Sequence, residues 1–385
     1  MLFFGCTNRE FIFLLTVRAG CGQSDGMKSP FRFYWLAAVC LSLVGCAHRP
    51  GGAGAGYEVF VSNEKAGTLT VIHGADFTVT ATIPVGKRPR GIHASPDGKL
   101  IYVALSGTPI AGPPKLDANG KPAHEKNPAG DDNFEADKAA DGIGVVAVAA
   151  KKFLRKIPAG SDPEQFSLSH DGRQLYVANE DIGTASVLDI ASGAVVRSVR
   201  VGDEPEGVAT SPDGKFFYVT CEAAGEVFAV DARTFQVAGK FTVKPRPRSA
   251  DFLPDSSRAF VSSETSGELN VVDTASHTLR QTVALPPGAL PMCVQLTPDG
   301  KKICVSTGRG GAVCVVDAAT LALTATIKVG SRPWGIAISP DGKYLFAANG
   351  PSDDVSVVDL AAAKEVARVK SPGGPWGVAV VRTAR

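Results

Sequence analysis

The stretch Pro333-Trp334-Gly335-Ile336-Ala337-Ile338-Ser339-Pro340-Asp341-Gly342-Lys343-Tyr344-Leu345-Phe346-Ala347-Ala348-Asn349, followed by Val355-Ser356-Val357-Val358-Asp359, decides the fold. At Pro340-Asp341-Gly342 the proline presets φ and the glycine accepts a positive one. The apolar runs on either side therefore read as an antiparallel hairpin. Residues 334–338 form a first strand, a, and residues 344–349 a second, b. A third, c, covers 355–359 and closes on an aspartate, and a fourth, d, lies at about 365–369. Alternating β-branched and apolar residues bounded by Gly, Pro and Asp carry the strand signal.

The pattern recurs. The turn aspartate stands at 97, 171, 213, 255, 299 and 341, in gaps of 74, 42, 42, 44 and 42. The aspartate closing strand c falls at 189, 231, 273, 317 and 359, with the same later gaps. Such a period marks a repeat architecture. The gap of 74 is one repeat plus 32 inserted residues. A four-stranded unit cannot bury both faces alone, whereas units packed face to face around an axis do so and leave only short edges. The chain begins the pattern with a strand b, residues 57–63, and ends it with an extra strand a, residues 375–381. Those two pieces make one blade and the six intact units make the rest. The expectation is an all-β, seven-bladed β-propeller over 57–382. Its blades are four-stranded and antiparallel, and the N- and C-terminal strands share one of them.

Tyr176-Val177-Ala178-Asn179, Gly207-Val208-Ala209, Ser211-Pro212-Asp213-Gly214 and Tyr218-Val219-Thr220 resemble the YVTN-repeat propeller family, and the resemblance covers about 57–381. It specifies fold far better than function, because propellers host enzymes, binders and scaffolds alike. Within that family the chain is most similar to the periplasmic propellers associated with PQQ-dependent alcohol catabolism. Those accompany quinoprotein dehydrogenases and c-type cytochromes, so the resemblance implies an accessory role.

Ahead of the repeats lies a targeting pattern. Residues 1–26 read as an over-extended start before Met27. Lys28 and Arg32 then precede the apolar run 35–42, and Leu43-Val44-Gly45-Cys46 looks like a bacterial lipobox with Cys46 as the lipidated residue. The run is short for a membrane span. Residues 47–56 read as a flexible tether, and Ala47 after the anchor points to outer-membrane sorting. The expected place is the periplasmic side, anchored to the membrane by lipid. Lys+Arg total 40 against 38 Asp+Glu, with the signs interspersed, which argues against a nucleic-acid partner.

Strand order puts the Pro-x-Gly starts, the b–c loops and the d–a loops on one face and the Pro-Asp-Gly turns on the other. The residue after each strand-a proline is then a ring position at the channel mouth: Trp376, Arg90, Glu164, Glu206, Arg248, Met292 and Trp334 in blades 1 to 7. One reading has the tryptophans plugging the channel and the charges pairing at a wet rim. The other has a mouth with an aromatic side and a carboxylate side, fit for an amphiphilic ligand or a partner loop. A second column after strand b holds Glu64, Glu180, Glu222 and Glu264 in blades 1, 3, 4 and 5, and Gly308 and Gly350 in blades 6 and 7. No Asp-rich loop accompanies it, so no metal is expected. The insertion, at 105–138 in the b–c loop of blade 2, reads as a lid or docking arm over the same face.

There is no Cys-x-x-Cys-His for haem, no Gly-x-Ser-x-Gly elbow and no P-loop, and no cofactor is expected. Hairpin symmetry about Pro298-Asp299 and Arg309 places Cys293, Cys304 and Cys314 in one row across blade 6. Buried free thiols are preferred there to a strained cross-strand disulfide. The leading function is a non-enzymatic protein that binds a partner or small molecule at the Pro-x-Gly face, with no catalytic residue assigned. The alternative is an enzyme, either a lactonase-like hydrolase or a quinoprotein-type oxidoreductase subunit.

Overall fold

A computed structural model of the chain describes residues 56–110 and 136–383. Its 28 strands form seven four-stranded sheets, each in the order a-b-c-d. Blade 7 shows the repeat: a Pro333–Ile338, b Tyr344–Asn349, c Asp354–Asp359 and d Lys364–Lys370. Blade 1 joins the two ends of the repeat array. Strand a, Pro375–Arg382, pairs antiparallel with strand b, Tyr57–Asn63, with Val380 opposite Val59 and Ala379 opposite Phe60. The latch is therefore a sheet ladder, reinforced by the Ser371 hydroxyl donating to Asn63 Oδ1 at 2.7 Å.

The apolar interior divides into seven clusters, and each lies between two neighbouring blades rather than within one. Phe60, Leu69 and Val71 of blade 1 pack against Ile92, Ile101 and Val103 of blade 2, and the same exchange repeats round the ring. Strands b and c are buried on both faces because a blade covers each side; strand d alternates exposed and half-buried residues at the rim.

Turn chemistry follows the repeat. Ser339 Oγ donates to Asp341 Oδ1 at 2.6 Å and the Lys343 amide to the same oxygen at 3.0 Å, closing the a–b hairpin. The aspartate ending strand c closes the next turn: the Thr320 amide donates to Asp317 Oδ1 at 2.7 Å. These are Asx-type turns, so the aspartates that mark the period are structural.

Two sequence expectations need correction or delimiting. The blade 6 cysteines do not form a row. Cys304 stands opposite Gln295 and Val315, and Cys314 opposite Val305, because the turns centre between Asp299 and Gly300 and between Arg309 and Gly310. Cys314 packs into the interface with blade 5 and Cys304 into that with blade 7, so they lie on opposite faces of the sheet. All three are free thiols, as is Cys221. The signal, the Cys46 anchor and nearly all of the tether fall outside the described residues, as does the 111–135 part of the insertion. The insertion's stems are described and meet on the Pro-x-Gly face. The Asp137 amide donates to the Gly107 carbonyl at 3.0 Å, and Arg88 Nη1 donates to the Thr108 carbonyl at 2.8 Å.

Candidate functional site

Seven innermost strands converge at the Pro-x-Gly face, and the residue after the ring position governs how closely. A Cβ on Gly377 would sit 2.6 Å from the Arg90 carbonyl oxygen of the next blade, and one on Gly335 2.7 Å from that of Trp376. Blades 3, 5 and 6 carry Gln165, Ser249 and Cys293 at this position, and their side chains line the neck of the channel.

A hydroxyl on strand b ties adjacent blades at this level. Ser62 Oγ accepts from the Gly377 amide of its own blade (2.9 Å) and donates to the Arg90 carbonyl of the next (2.6 Å). Thr220 does the same between Gly207 and Arg248, and Ser306 between Cys293 and Trp334. The ring residues are thus held through their carbonyls before their side chains make any contact.

All seven ring side chains lie together at the mouth, as the strand order requires, but the four charged ones are buried. Arg90 is 3% exposed, Glu206 4%, Glu164 7% and Arg248 9%. They form two clusters with the loop glutamates. Arg248 Nη2 reaches Glu264 at 2.6 Å, and its Nη1 meets both Glu206 and Glu222. Arg90 reaches Asp162 at 2.5 Å, Glu164 at 3.0 Å and Glu180 at 3.8 Å. Glu64 lies apart from both and pairs with Arg88 at 3.0 Å. The charges do pair, but in a largely dry layer rather than at a wet rim.

Carboxylates outnumber arginines in these clusters, and that sets the protonation. Burial pushes Glu180 up from 4.5 to about 9, assisted by the Glu164 charge and a hydrogen bond between the two. Burial likewise holds Glu206 well above the ordinary value, with Glu164 and Glu222 adding to it against Arg248. Burial would also raise Glu164 and Glu264, but Arg90 overcomes it for the first and Arg248 with Arg246 for the second, leaving both low. Glu180 therefore keeps its proton at neutral pH beside Glu164, and Glu206 is pushed in the same direction.

The other three blades give a different surface. Trp376 and Met292 are buried in the neck. Trp334 stacks on Trp376 with centroids 5.1 Å apart, and the Arg248 and Arg332 guanidiniums lie 5.8 and 4.9 Å from the Trp334 ring. The cleft left between Arg248, Met292, Trp334 and Trp376 has a volume of about 20 Å³, room for about one water.

Below the ring the channel opens to about 400 Å³, lined by strand-a residues that include His93, Ser167, Asp251, Cys293 and Gln295. Asp251 accepts from the Leu296 and Phe252 amides at 2.8 Å each, yet burial still raises it to about 6. Burial lowers His93 to about 4, so it is neutral.

Two sets of residues escaped the sequence reading. One is the inner channel position, fourth after the proline. The other is the column before the proline: Arg88, Asp162, Glu204, Arg246, Leu290, Arg332 and Gly374. Its spacing was as legible as the ring's. Its significance lies in backbone conformation: Arg88, Asp162, Glu204, Arg246 and Arg332 all have positive φ, between 41° and 61°. At Arg88, Asp162 and Arg246 the side chain meets the charges of the mouth.

Both family models that match the chain are of β-propellers. The model of the seven-bladed β-propeller lactonases matches residues 208–371, and that of YNCE-like β-propellers matches 114–215. No curated protein matches the chain. Similar solved structures include the periplasmic gluconolactonase of Pseudomonas aeruginosa, at 22% identity and a TM-score of 0.63 over 85% of this chain and 99% of that one. The Kuenenia stuttgartiensis hydrazine synthase has 20% identity and a TM-score of 0.64, over 78% and 92%. A protein of unknown function from Desulfotomaculum acetoxidans has 13% and 0.69, over 85% and 99%. At these identities the likeness shows the fold alone.

Proposed function

We propose that the chain is a binding propeller, which takes up a small ligand or a loop of a partner at its Pro-x-Gly face and performs no chemistry on it. The observation that carries this reading is the state of the ring. Its arginines and glutamates are committed to one another, Trp376 and Met292 fill the neck, and about 20 Å³ remains. Among the described residues, the space left at the level of the ring is too small to shield a reacting substrate from water. The purified chain is expected neither to open δ-gluconolactone above the uncatalysed rate nor to reduce an artificial electron acceptor. Ring opening that falls about a hundredfold in Glu206→Gln would overturn the reading.

That outcome would establish the second reading, a lactonase-like hydrolase, which one observation favours. Glu180 keeps a proton at neutral pH beside Arg90, and burial pushes Glu206 the same way beside Arg248, as for a general acid with an oxyanion partner. The lactonase match over 208–371 includes Glu222, which adds to the shift of Glu206, and begins just after Glu206.

The same proposal places the protein on the periplasmic side of a bacterial membrane, lipid-anchored through Cys46 to the outer membrane. The support is the Leu43-Val44-Gly45-Cys46 pattern behind a basic and apolar segment. Cys46→Ser is expected to move the protein from the membrane to the soluble fraction. The resemblance of the repeats to propellers beside PQQ-dependent dehydrogenases supplies the partner class to try first. An immobilised chain that retains such a dehydrogenase, and loses it when Trp334 is replaced by alanine, would support that pairing.

A further inference from the structure

The residue before the strand-a proline is arginine in three blades, and the repeat shows what each should meet. Arg88 of blade 2 pairs with Glu64 of the preceding blade at 3.0 Å. Arg246 of blade 5 pairs with Glu264 of its own blade at 3.1 Å and with Glu222 of the preceding one. Arg332 of blade 7 has the same backbone conformation, with φ of 51°. Its corresponding partners are Gly308 in the preceding blade and Gly350 in its own. Both acid positions are glycine while the arginine is present.

Arg332 is half-buried, and among the described residues it has no carboxylate within ion-pair range. Its guanidinium rests over the Trp334 ring at 4.9 Å instead. Arg309, an exposed cation on the loop that carries Gly308, is the foremost charge acting on it. Burial together with this like charge holds the Arg332 guanidinium below its ordinary value, the reverse of what an ion pair would do. Glu264 and Glu64 act on Arg332 only from beyond ion-pair range. A guanidinium over an aromatic face, with a second arginine on the neighbouring loop and no carboxylate in contact, is an arrangement that an oxyanion completes, since the fork of N–H donors matches two anionic oxygens.

We propose that Arg332 and Arg309, with Trp334 as the floor, form a subsite for a carboxylate or phosphate group of the ligand, in the place that glutamates fill at Arg88 and Arg246. This rests on the reading of the Pro-x-Gly face as the binding face and adds the chemical class of what binds. Glycine at both acid positions also explains why the site is confined to one arc: at Arg88 and Arg246 the protein supplies the anion itself.

The test is a tryptophan-fluorescence titration of the full chain with inorganic phosphate and, in a second arm, with acetate, at constant ionic strength. Trp334 and Trp376 stand at the subsite and report on it. A saturable change is expected with at least one probe, and the arm that responds identifies the anion. Arg332→Gln and Arg309→Gln should each weaken it about tenfold or more, as loss of a charge-assisted hydrogen bond does. Gly350→Glu is the sharper variant. A Cβ at Gly350 would lie 3.5 Å from the Pro375 carbonyl oxygen and 4.0 Å from Trp334 Cδ1, ordinary contacts that leave the backbone undisturbed. The restored carboxylate should neutralise Arg332 and abolish the response with an unchanged unfolding midpoint. Arg280→Gln on an outer strand should leave it intact. A saturable response to neither anion, an unaltered one in Arg332→Gln or Gly350→Glu, or an equal loss in Arg280→Gln would overturn the proposal. A chain that still retains a partner through Trp334 yet ignores both anions would remove the subsite and leave the binding role standing.

Discussion

The charged arc of the mouth, blades 2 to 5, and the aromatic arc, blades 6, 7 and 1, are built on one scaffold and filled in opposite ways. In both, a strand-b hydroxyl ties the ring residue's carbonyl to the neighbouring blade, through Thr220 in the first and Ser306 in the second. In the charged arc every ring charge has a partner, and the surplus of carboxylates raises the proton affinity of Glu180 and Glu206. In blades 6 and 7 of the aromatic arc glycines stand at the acid positions, and Arg332 lies over an indole with no acid of its own. The comparison teaches that a repeat fixes backbone positions cheaply. It is where a column is broken, not where it is kept, that the surface is left incomplete for something else.

The contrast can be broken most severely at Arg248. Arg248→Met strands Glu206, Glu222 and Glu264 around a single remaining arginine, Arg246, and should cost about 3–5 kcal/mol, read as a drop in urea unfolding free energy. A loss below about 1 kcal/mol would mean that the buried network contributes little to holding the arc. The shared scaffold is tested next. Thr220→Val leaves the Gly207 amide buried without its acceptor and should cost about 1–3 kcal/mol. Ser306→Ala does the same to the Cys293 amide in the other arc and should match it.

The pH dependence should also belong to the charged arc. Glu180 and Glu206 hold protons in the folded state that the unfolded chain releases near pH 4.5. Their contribution to stability is therefore complete below that pH and declines as pH rises, for Glu180 until about pH 9. Glu180→Gln should flatten that decline in unfolding midpoints measured from pH 5 to 9 relative to the native chain. The smallest effect is expected at Arg332, where a half-exposed cation–π contact contributes about 0.5–1 kcal/mol at most, so Arg332→Gln should leave the unfolding midpoint almost where it was.

Blade count, strand order, the shared blade of the two ends and the membership of the ring from Arg90 to Trp376 were all legible in the sequence. The reason is physical: a period of 42 with fixed turn residues sets strand length, hairpin register and the face on which each loop lies. Register at single-residue precision was not legible. Assigning the turn centre to Pro298-Asp299 instead of Asp299-Gly300 shifted the partner of Cys304 by two residues and drew a row of cysteines that does not exist. Nor did sequence show that Arg248 would gather glutamates from three positions as far apart as Glu206 and Glu264, or that their excess charge would be met by protonation. Those outcomes depend on the distance between adjacent strands at the mouth, which Gly207 sets against the Arg248 carbonyl, and on the water that this closeness excludes. The repeat determined which side chains meet; only the packed ring decided which of them satisfy one another and which, like Arg332, are left over.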